Sequence, residues 1–353
     1  REFVLLGLVL GAAALNKHTA ILYLGALGIG LLLSAASGVL RTKGPWLALG
    51  LVRLVLLPNL LWQGAHDFIS LEFYRAQGSR NVYTPVLLGV VNQVLFISPP
   101  ALPLCGLGLW FFLRSQAGAP YRVFGLAFLV LLGSLLAIHS SRPDRIAGAY
   151  PVLFAGGAVV FERLTSESKR WLRPTLALAL AGSGVSLMPI ALPLLPPPLA
   201  ASYAQALGVV PRIEREAAAL PEWLAERLGW PELVAAVAQI AQSLPAEERR
   251  RAIVLAPTYD VAGAVELFGP AHDLHRVISP HNAYFLWGQE LLARQAGDVV
   301  IAIGIPEATL VRHFRDVRQA GHQRCDICLE GAPNLSIFVA REPLTSLSDT
   351  FVA

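Results

Sequence analysis

The stretch LPLLPPPLA, residues 192–200, separates two compositions and so decides how the chain is to be read. Before it, apolar runs follow one another with brief polar interruptions; after it, charges return and apolar residues take spacings suited to a soluble domain. Three consecutive prolines remove three backbone donors and fix the local chain, which suits a seam. The whole chain, 353 residues with 55% hydrophobic and only 15% charged, has a mean hydropathy of +0.55. Such values are too apolar and too charge-poor for an ordinary soluble domain. The fold class read from them is a polytopic α-helical membrane domain over 1–196, followed by a small α/β domain over 197–353.

Upstream of the seam, apolar runs at 3–15, 19–37, 46–62, 86–113, 123–138, 147–161 and 175–195 are read as about seven membrane segments. A span needs roughly 20 residues, so the short ones need shielding by neighbours. SPPALP at 98–103 marks the fourth run as a kinked helix or as two segments meeting at a break. Arg41, Lys43, Arg114, Arg122, Arg163, Lys169, Arg170 and Arg173 mark alternate loops as cytoplasmic. Lys17–His18, loops 63–85 and 139–147, and everything after about 196 then face outward, which makes the second domain extracytoplasmic. The basic residues of that outward set, Arg75, Arg80, Arg142 and Arg145, break the rule, and anionic lipid phosphate is one reason for their presence. Arg53, read as lying near the inner end of its helix, is accounted for by snorkelling to head groups. The chain is apolar by Phe3 with no A-x-A-like cleavage site after the first run, so it is read as a fragment whose N-terminal part lies upstream.

Downstream, residues 212–244 read as two or three amphipathic helices, with Pro221 and Pro231 at helix starts. RAIVLAP (251–257), RVIS (276–279), DVVIAIG (298–304) and LSIFVAR (335–341) read as buried strands, with helices over 260–269 and 307–320. That alternation is a small α/β domain.

The net charge of +4 and isoelectric point near 9.1 come with no nucleic-acid motif, and basic residues in such a chain sit at helix ends facing lipid head groups. Nucleic acid is therefore not read as a partner. Three cysteines cannot make a disulfide framework. Cys105 reads as a small buried hydrophobe, and Cys325 with Cys328 (CDIC) as a disulfide candidate; a metal site would need more ligands than His322 adds.

Four constellations carry candidate chemistry. PNLLWQGAHDFISLEFYR, residues 58–75, leaves an apolar run and fills with Trp62, Gln63, His66, Asp67, Glu72 and Arg75. It reads either as an interfacial amphipathic helix with belt aromatics or as a site for a charged, sugar-bearing amphiphile, Arg75 and Arg80 opposing a phosphate and the carboxylates binding hydroxyls. LNKHTA at 15–20 places Lys17 between two apolar runs, where a cation is costly unless it meets an anion or water. HSSRPDRIAGAYP at 139–151 flanks Asp144 with Arg142 and Arg145, which is either a surface ion pair or, with Lys17 and Arg75, one cationic mouth. SPHNAYFLWG at 279–288 holds His281, Asn282, Tyr284 and Trp287, residue types that serve sugar or peptide contact and equally serve packing.

Taken in order, LGAAALNKHTAILYLGALGIGLLLS, PNLLWQGAHDFISLEFYR, NQVLFISPPALPLCGLGLWFF, AYPVLFAGGAVVFERL, ERLGWPELVAAVAQIAQSLP, YDVAGAVELFGP and ISPHNAYFLWG resemble a bacterial membrane glycosyltransferase of family 39. This is the dolichyl-phosphate-mannose protein mannosyltransferase-like group, related in fold to the lipid A aminoarabinose transferase (the C type). The resemblance implies a multi-pass protein of the bacterial inner membrane that takes a sugar from a polyprenyl-phosphate carrier and passes it, with inversion, to a glycan, lipid or protein acceptor. It implies a general-base Asp in a first outer loop, expected upstream of Arg1, so no catalytic residue is carried onto this chain. Lys17, Arg75, Arg142 and Arg145 are the donor-phosphate candidates, and Gln63, His66, Asp67 and Glu72 the sugar or acceptor contacts. Where relatives often carry a Lys and Tyr pair before AYP, this chain has RPDRIAGAYP. No cofactor beyond the lipid-linked donor is implied, and a divalent-metal need is left open. The competing reading is a transporter or flippase of a lipid-linked sugar.

Overall fold

The computed structural model describes residues 1–79, 83–140, 142–166, 168–207, 212–213, 216–217, 220–294, 298–325, 328 and 334–347. Chain contacts divide it into two units, Arg1–Leu187 and Met188–Ala353.

The first unit is helical: α1 (Glu2–Asn16), α2 (Ala20–Leu32), α3 (Lys43–Ala65), α4 (Ile69–Ser79), α5 (Val86–Phe96), α6 (Leu102–Arg114), α7 (Arg122–Ala137), α8 (Tyr150–Leu164) and α9 (Leu172–Ala191), the last running into the second unit. Among the described residues, four helices are long and apolar enough to cross a membrane, or six if each of two bent pairs counts as one span. Leucine, isoleucine, valine and tryptophan side chains lie exposed along α1, α2, α3, α5 and α9, a surface that water would penalise and lipid would not. Small residues bring the helices together. A Cβ on Gly108 would sit 2.0 Å from the Leu153 carbonyl oxygen, and one on Gly157 2.0 Å from that of Leu104, so α6 and α8 meet backbone to backbone.

Two expected spans are broken. The run 19–37 does not continue as one helix: α2 stops at Leu32, and Ser34 accepts from the Ala36 amide and donates to the Leu31 carbonyl, opening a 3-10 turn at Ala35–Arg41 bent by 107°. The run 86–113 bends by 90° at Ser98, whose φ is 71° and which precedes Pro99 and Pro100. The Ser98 hydroxyl meets the Ser183 hydroxyl of α9 at 2.5 Å. Loop 63–85 contains the helix α4, and Arg53 stands at the middle of the 23-residue α3 instead of near its end.

The second unit holds α10 (Pro197–Ala206), a two-residue pair β1 (Arg212–Ile213) and β2 (Glu216–Ala217), α11 (Glu222–Ala225), α12 (Trp230–Ser243), α13 (Ala246–Arg251), β3 (Ala252–Leu255), α14 (Tyr259–Phe268), β4 (Val277–Ile278), α15 (Ala283–Arg294), β5 (Val299–Ile303), α16 (Glu307–Leu310), β6 (Phe314–Arg324) and β7 (Asn334–Pro343). The main sheet runs β4-β3-β5-β7-β6, parallel across β4, β3 and β5 and antiparallel thereafter. Period-two alternation gives it two buried faces. Val299, Ile301 and Ile303 join Leu335, Ile337 and Val339 under α12 and α14, while Val300 and Ala302 join Phe338 and Ala340 on the face holding Leu292 of α15.

Two expectations for this unit are corrected. The segment 307–320 is helical only over α16; from Phe314 it is an edge strand whose polar residues are tolerated because β7 pairs it on one side only. Arg212–Ile213 and Glu216–Ala217 form an antiparallel strand pair, not part of a helix. Pro231, by contrast, opens α12 at its first turn, where its missing donor costs nothing.

Candidate functional site

Helix polarity gathers the polar turns of the first unit at one end. Phe3 of α1 lies on Gly44 of α3, Gly7 on Ala48 and Gly11 on Val55, so the two helices start together and run parallel, and the 23-residue α3 continues beyond the end of the 15-residue α1 toward α4. Gly30 of α2 packs on Val123 and Ala127 of α7, so α2 and α7 run antiparallel and the start of α2 lies at the end of α7. Thr84, just before α5, exchanges bonds with His139, just after α7: its amide donates to the His139 carbonyl at 3.1 Å, and His139 Nδ1 lies 3.1 Å from the Thr84 carbonyl.

The turn between α1 and α2 is the hub. His18 Nδ1 lies 2.9 Å from the Tyr74 hydroxyl of α4, and the two rings meet edge to face at 5.7 Å. Tyr23, one turn into α2, donates to the Arg145 carbonyl at 3.1 Å and accepts from the Gly148 amide at 3.1 Å. Lys17 is exposed. Asp144 accepts from Arg142 Nε at 3.1 Å and from its second nitrogen at 3.4 Å, a two-pronged pair. Arg75 follows Tyr74 on α4 and is exposed; Arg145 is partly buried. The structure therefore ties the segments bearing Lys17, Arg75, Arg142 and Arg145 to one hub.

The contact candidates divide. Gln63 is buried and serves the turn after α3, donating to the Ser70 hydroxyl at 2.6 Å and accepting from the Ser70 amide at 3.3 Å. His66 stacks on Trp62 with centroids 4.2 Å apart and its Nδ1 lies 2.8 Å from the Trp62 carbonyl. Asp67 is exposed, and with Phe68 it adopts positive φ (52° and 54°), which turns α3 back into α4. Glu72 is placed in α4, but its side chain lies outside the described residues, as does Arg80.

A buried polar pair that sequence reading missed stands behind this end. Tyr150 of α8 donates to Gln93 Oε1 at 2.6 Å, and Gln93 Nε2 donates to the Pro143 carbonyl at 3.3 Å. The pair braces the segment that carries Arg142, Asp144 and Arg145. The available signal was an amide and a phenol inside otherwise apolar runs.

In the second unit, the His281 ring rests on Tyr259 at 5.0 Å, beyond the carboxyl ends of β4 and β3. Asn282 is exposed with φ 56° and leads into α15. Tyr284 packs edge-on against Trp287 at 5.0 Å and donates to Glu266 of α14, while Trp287 remains exposed. Burial, then the Glu266 carboxylate, pushes the Tyr284 phenol up to about 12. Cys325 and Cys328 are disulfide-bonded, with Cα atoms 5.5 Å apart. They lie against Gly229, whose φ of 83° and the 2.6 Å from its would-be Cβ to Cys328 Sγ both require glycine there. Among the described residues no group of three or more His, Cys, Asp or Glu side chains forms a metal cluster.

No family model, curated protein or solved structure matches the chain.

Proposed function

We propose that the chain is an integral-membrane glycosyltransferase that moves a sugar, with inversion, from a polyprenyl-phosphate carrier to an acceptor at the outer face of a bacterial membrane. The observation that carries this reading is the tethering of three segments, which together bear four cations, at one end of a lipid-compatible helical unit, through His18–Tyr74 and Tyr23–Arg145. Cations fixed where a bilayer meets water suit a lipid-borne phosphate.

The chemistry asked of these residues is limited. The bond between the anomeric carbon and the phosphate oxygen breaks, and its electron pair leaves with the phosphate. The acceptor hydroxyl oxygen bonds the opposite face of the same carbon, and its proton passes to a carboxylate that is not assigned within this chain. Lys17, Arg75, Arg142 and Arg145 stabilise the charge that develops on the departing phosphate. Asp144 holds Arg142 in position until the phosphate competes for it. Asp67, Glu72 and His66 remain the proposed partners for sugar or acceptor hydroxyls. In the second unit, His281, Asn282 and Trp287 remain proposed sugar or peptide contacts of that domain, whereas Tyr284 serves the packing of α15 on α14.

The transporter reading draws support from the two bent helix pairs. Proteoliposomes carrying the full chain and a radiolabelled polyprenyl-phosphate sugar separate the two. Transfer of label from lipid to acceptor, reduced about tenfold or more in Lys17→Ala and Arg142→Ala, is the expected result. Intact donor that changes leaflet would assign the chain to transport, and undiminished transfer in both variants would overturn the phosphate assignment.

A further inference from the structure

The second unit carries a cleft of about 540 Å³ at the amino ends of β3 and β4, away from His281 and Tyr259. Arg249 and Arg250 reach it from α13, and His272, Asp273, His275 and Arg276 from the loop that enters β4. Its floor is apolar, made by Ala241 of α12, Val254 of β3 and Ile301 of β5.

These side chains are held. The Val254 amide donates to the Arg276 carbonyl at 2.9 Å, which fixes the loop to the sheet. The Arg276 guanidinium donates to the Arg250 carbonyl, joining the loop to α13. Asp273 stands at φ 60° and turns the loop so that His272 and His275 both line the cleft. Partial burial lowers the pKa of Arg276 from its ordinary value, the mark of a guanidinium partly drawn out of water. Glu247 pairs with Arg250, and Arg249, Arg276 and two imidazoles line the same concavity, whose described lining includes one carboxylate, Asp273. A wall of this kind selects an anion with several acceptor oxygens, for which the guanidinium fork is shaped. The apolar floor and the volume leave room for a compact body behind the anion, and Asp273 with Gln242 can accept from its hydroxyls.

We propose that this cleft binds a phosphate-bearing ligand, with the phosphate held by Arg249, Arg276 and the two imidazoles and a hydroxyl-bearing body directed to Asp273 and Gln242. The ligand is a soluble phosphate ester or the head group of a phospholipid; the chemistry is common to both. The site stands apart from the glycosyltransferase reading, since none of its residues belongs to the cationic end of the first unit.

The test is calorimetric titration of the full chain in phosphatidylcholine nanodiscs with three probes: inorganic pyrophosphate, glucose 1-phosphate and dihexanoyl phosphatidic acid. Saturable binding is expected, weakened at least tenfold in Arg249→Gln with His275→Gln and unchanged in Arg318→Gln, an exposed residue of β6 outside the cleft. Arg249 and His275 are exposed, so these changes spare the core; Arg276→Gln is added as a single variant with its fold checked by circular dichroism. Glucose 1-phosphate binding more tightly than pyrophosphate identifies a soluble ester, and tighter binding of the short-chain lipid identifies a head group. Absence of saturable binding for all three probes, or equal binding in the Arg249→Gln/His275→Gln protein, overturns the proposal.

Discussion

Gly157 and Ile301 each sit at the centre of a packed region, and each shows what its region depends on. Around Gly157 the neighbours are backbone atoms of α6, close because no side chain intervenes. Around Ile301 the neighbours are branched aliphatic side chains filling the space between β5, β7, α12 and α14. Where the surroundings are as apolar as the interior, burial gives helices little reason to associate, so close contact and a few hydrogen bonds must hold them. In the second unit, removal of apolar surface from water is the main stabilising term. The same residue type therefore carries different meaning in the two units: an exposed leucine is ordinary on α9 and would be a defect on β5.

That contrast can be broken by experiment. The largest effect is expected for Ile301→Ala, about 2 to 5 kcal/mol, because it loses burial and leaves a cavity in a core that collapses only partly. Hydrogen exchange on β5 would register it, with Leu178→Ala on exposed α9 as the matched control, expected within about 0.5 kcal/mol. Equal losses at the two positions would dissolve the distinction. Next comes Gly157→Ala, where one added methyl meets a carbonyl; about 1 to 3 kcal/mol of destabilisation is expected, read as a lower unfolding temperature in nanodiscs with exchange on β5 unchanged.

The smallest effect sharpens the comparison through pH. The folded Tyr284 phenol holds its proton more tightly than the unfolded one, so its contribution is complete below about pH 10 and is lost as pH rises through about 12. Tyrosinate absorbance of the native protein against Tyr284→Phe should show one group titrating late, and exchange on α15 should loosen over the same window. A phenol at Tyr284 titrating at the ordinary value would remove Glu266 and burial as its partners.

How much of this was legible depended on whether a residue's role is local. The unbroken Val and Ile runs of β3, β5 and β7 announce strands buried on both faces, and the apolar runs announce helices. The strand β6 did not announce itself, because its pairing with β7 is what permits FRDVRQAGHQR to be extended despite its charges. The breaks after Leu32 and at Ser98 were only half visible: prolines flagged the second, whereas a single serine capping its own turn made the first. At the candidate site, Lys17, Arg142 and Asp144 stood out as charges among apolar residues. The pairings of Tyr23, Tyr74, Gln93 and Tyr150 did not, since each finds its partners 50 or more positions away. Gln63 stood out, and the structure gives its amide a local duty in the turn.

The ends of the main sheet have a consequence for crowding. Molecules confined to a bilayer meet one another repeatedly in a fixed orientation, which favours any strand able to zip onto a neighbour's. Here one rim of the sheet is only the two residues of β4, and the other is β6, studded with Arg315, Asp316, Arg318, His322 and Arg324. A stub and a charged rail are poor templates for further pairing, so even dense packing in two dimensions leaves these sheets separate.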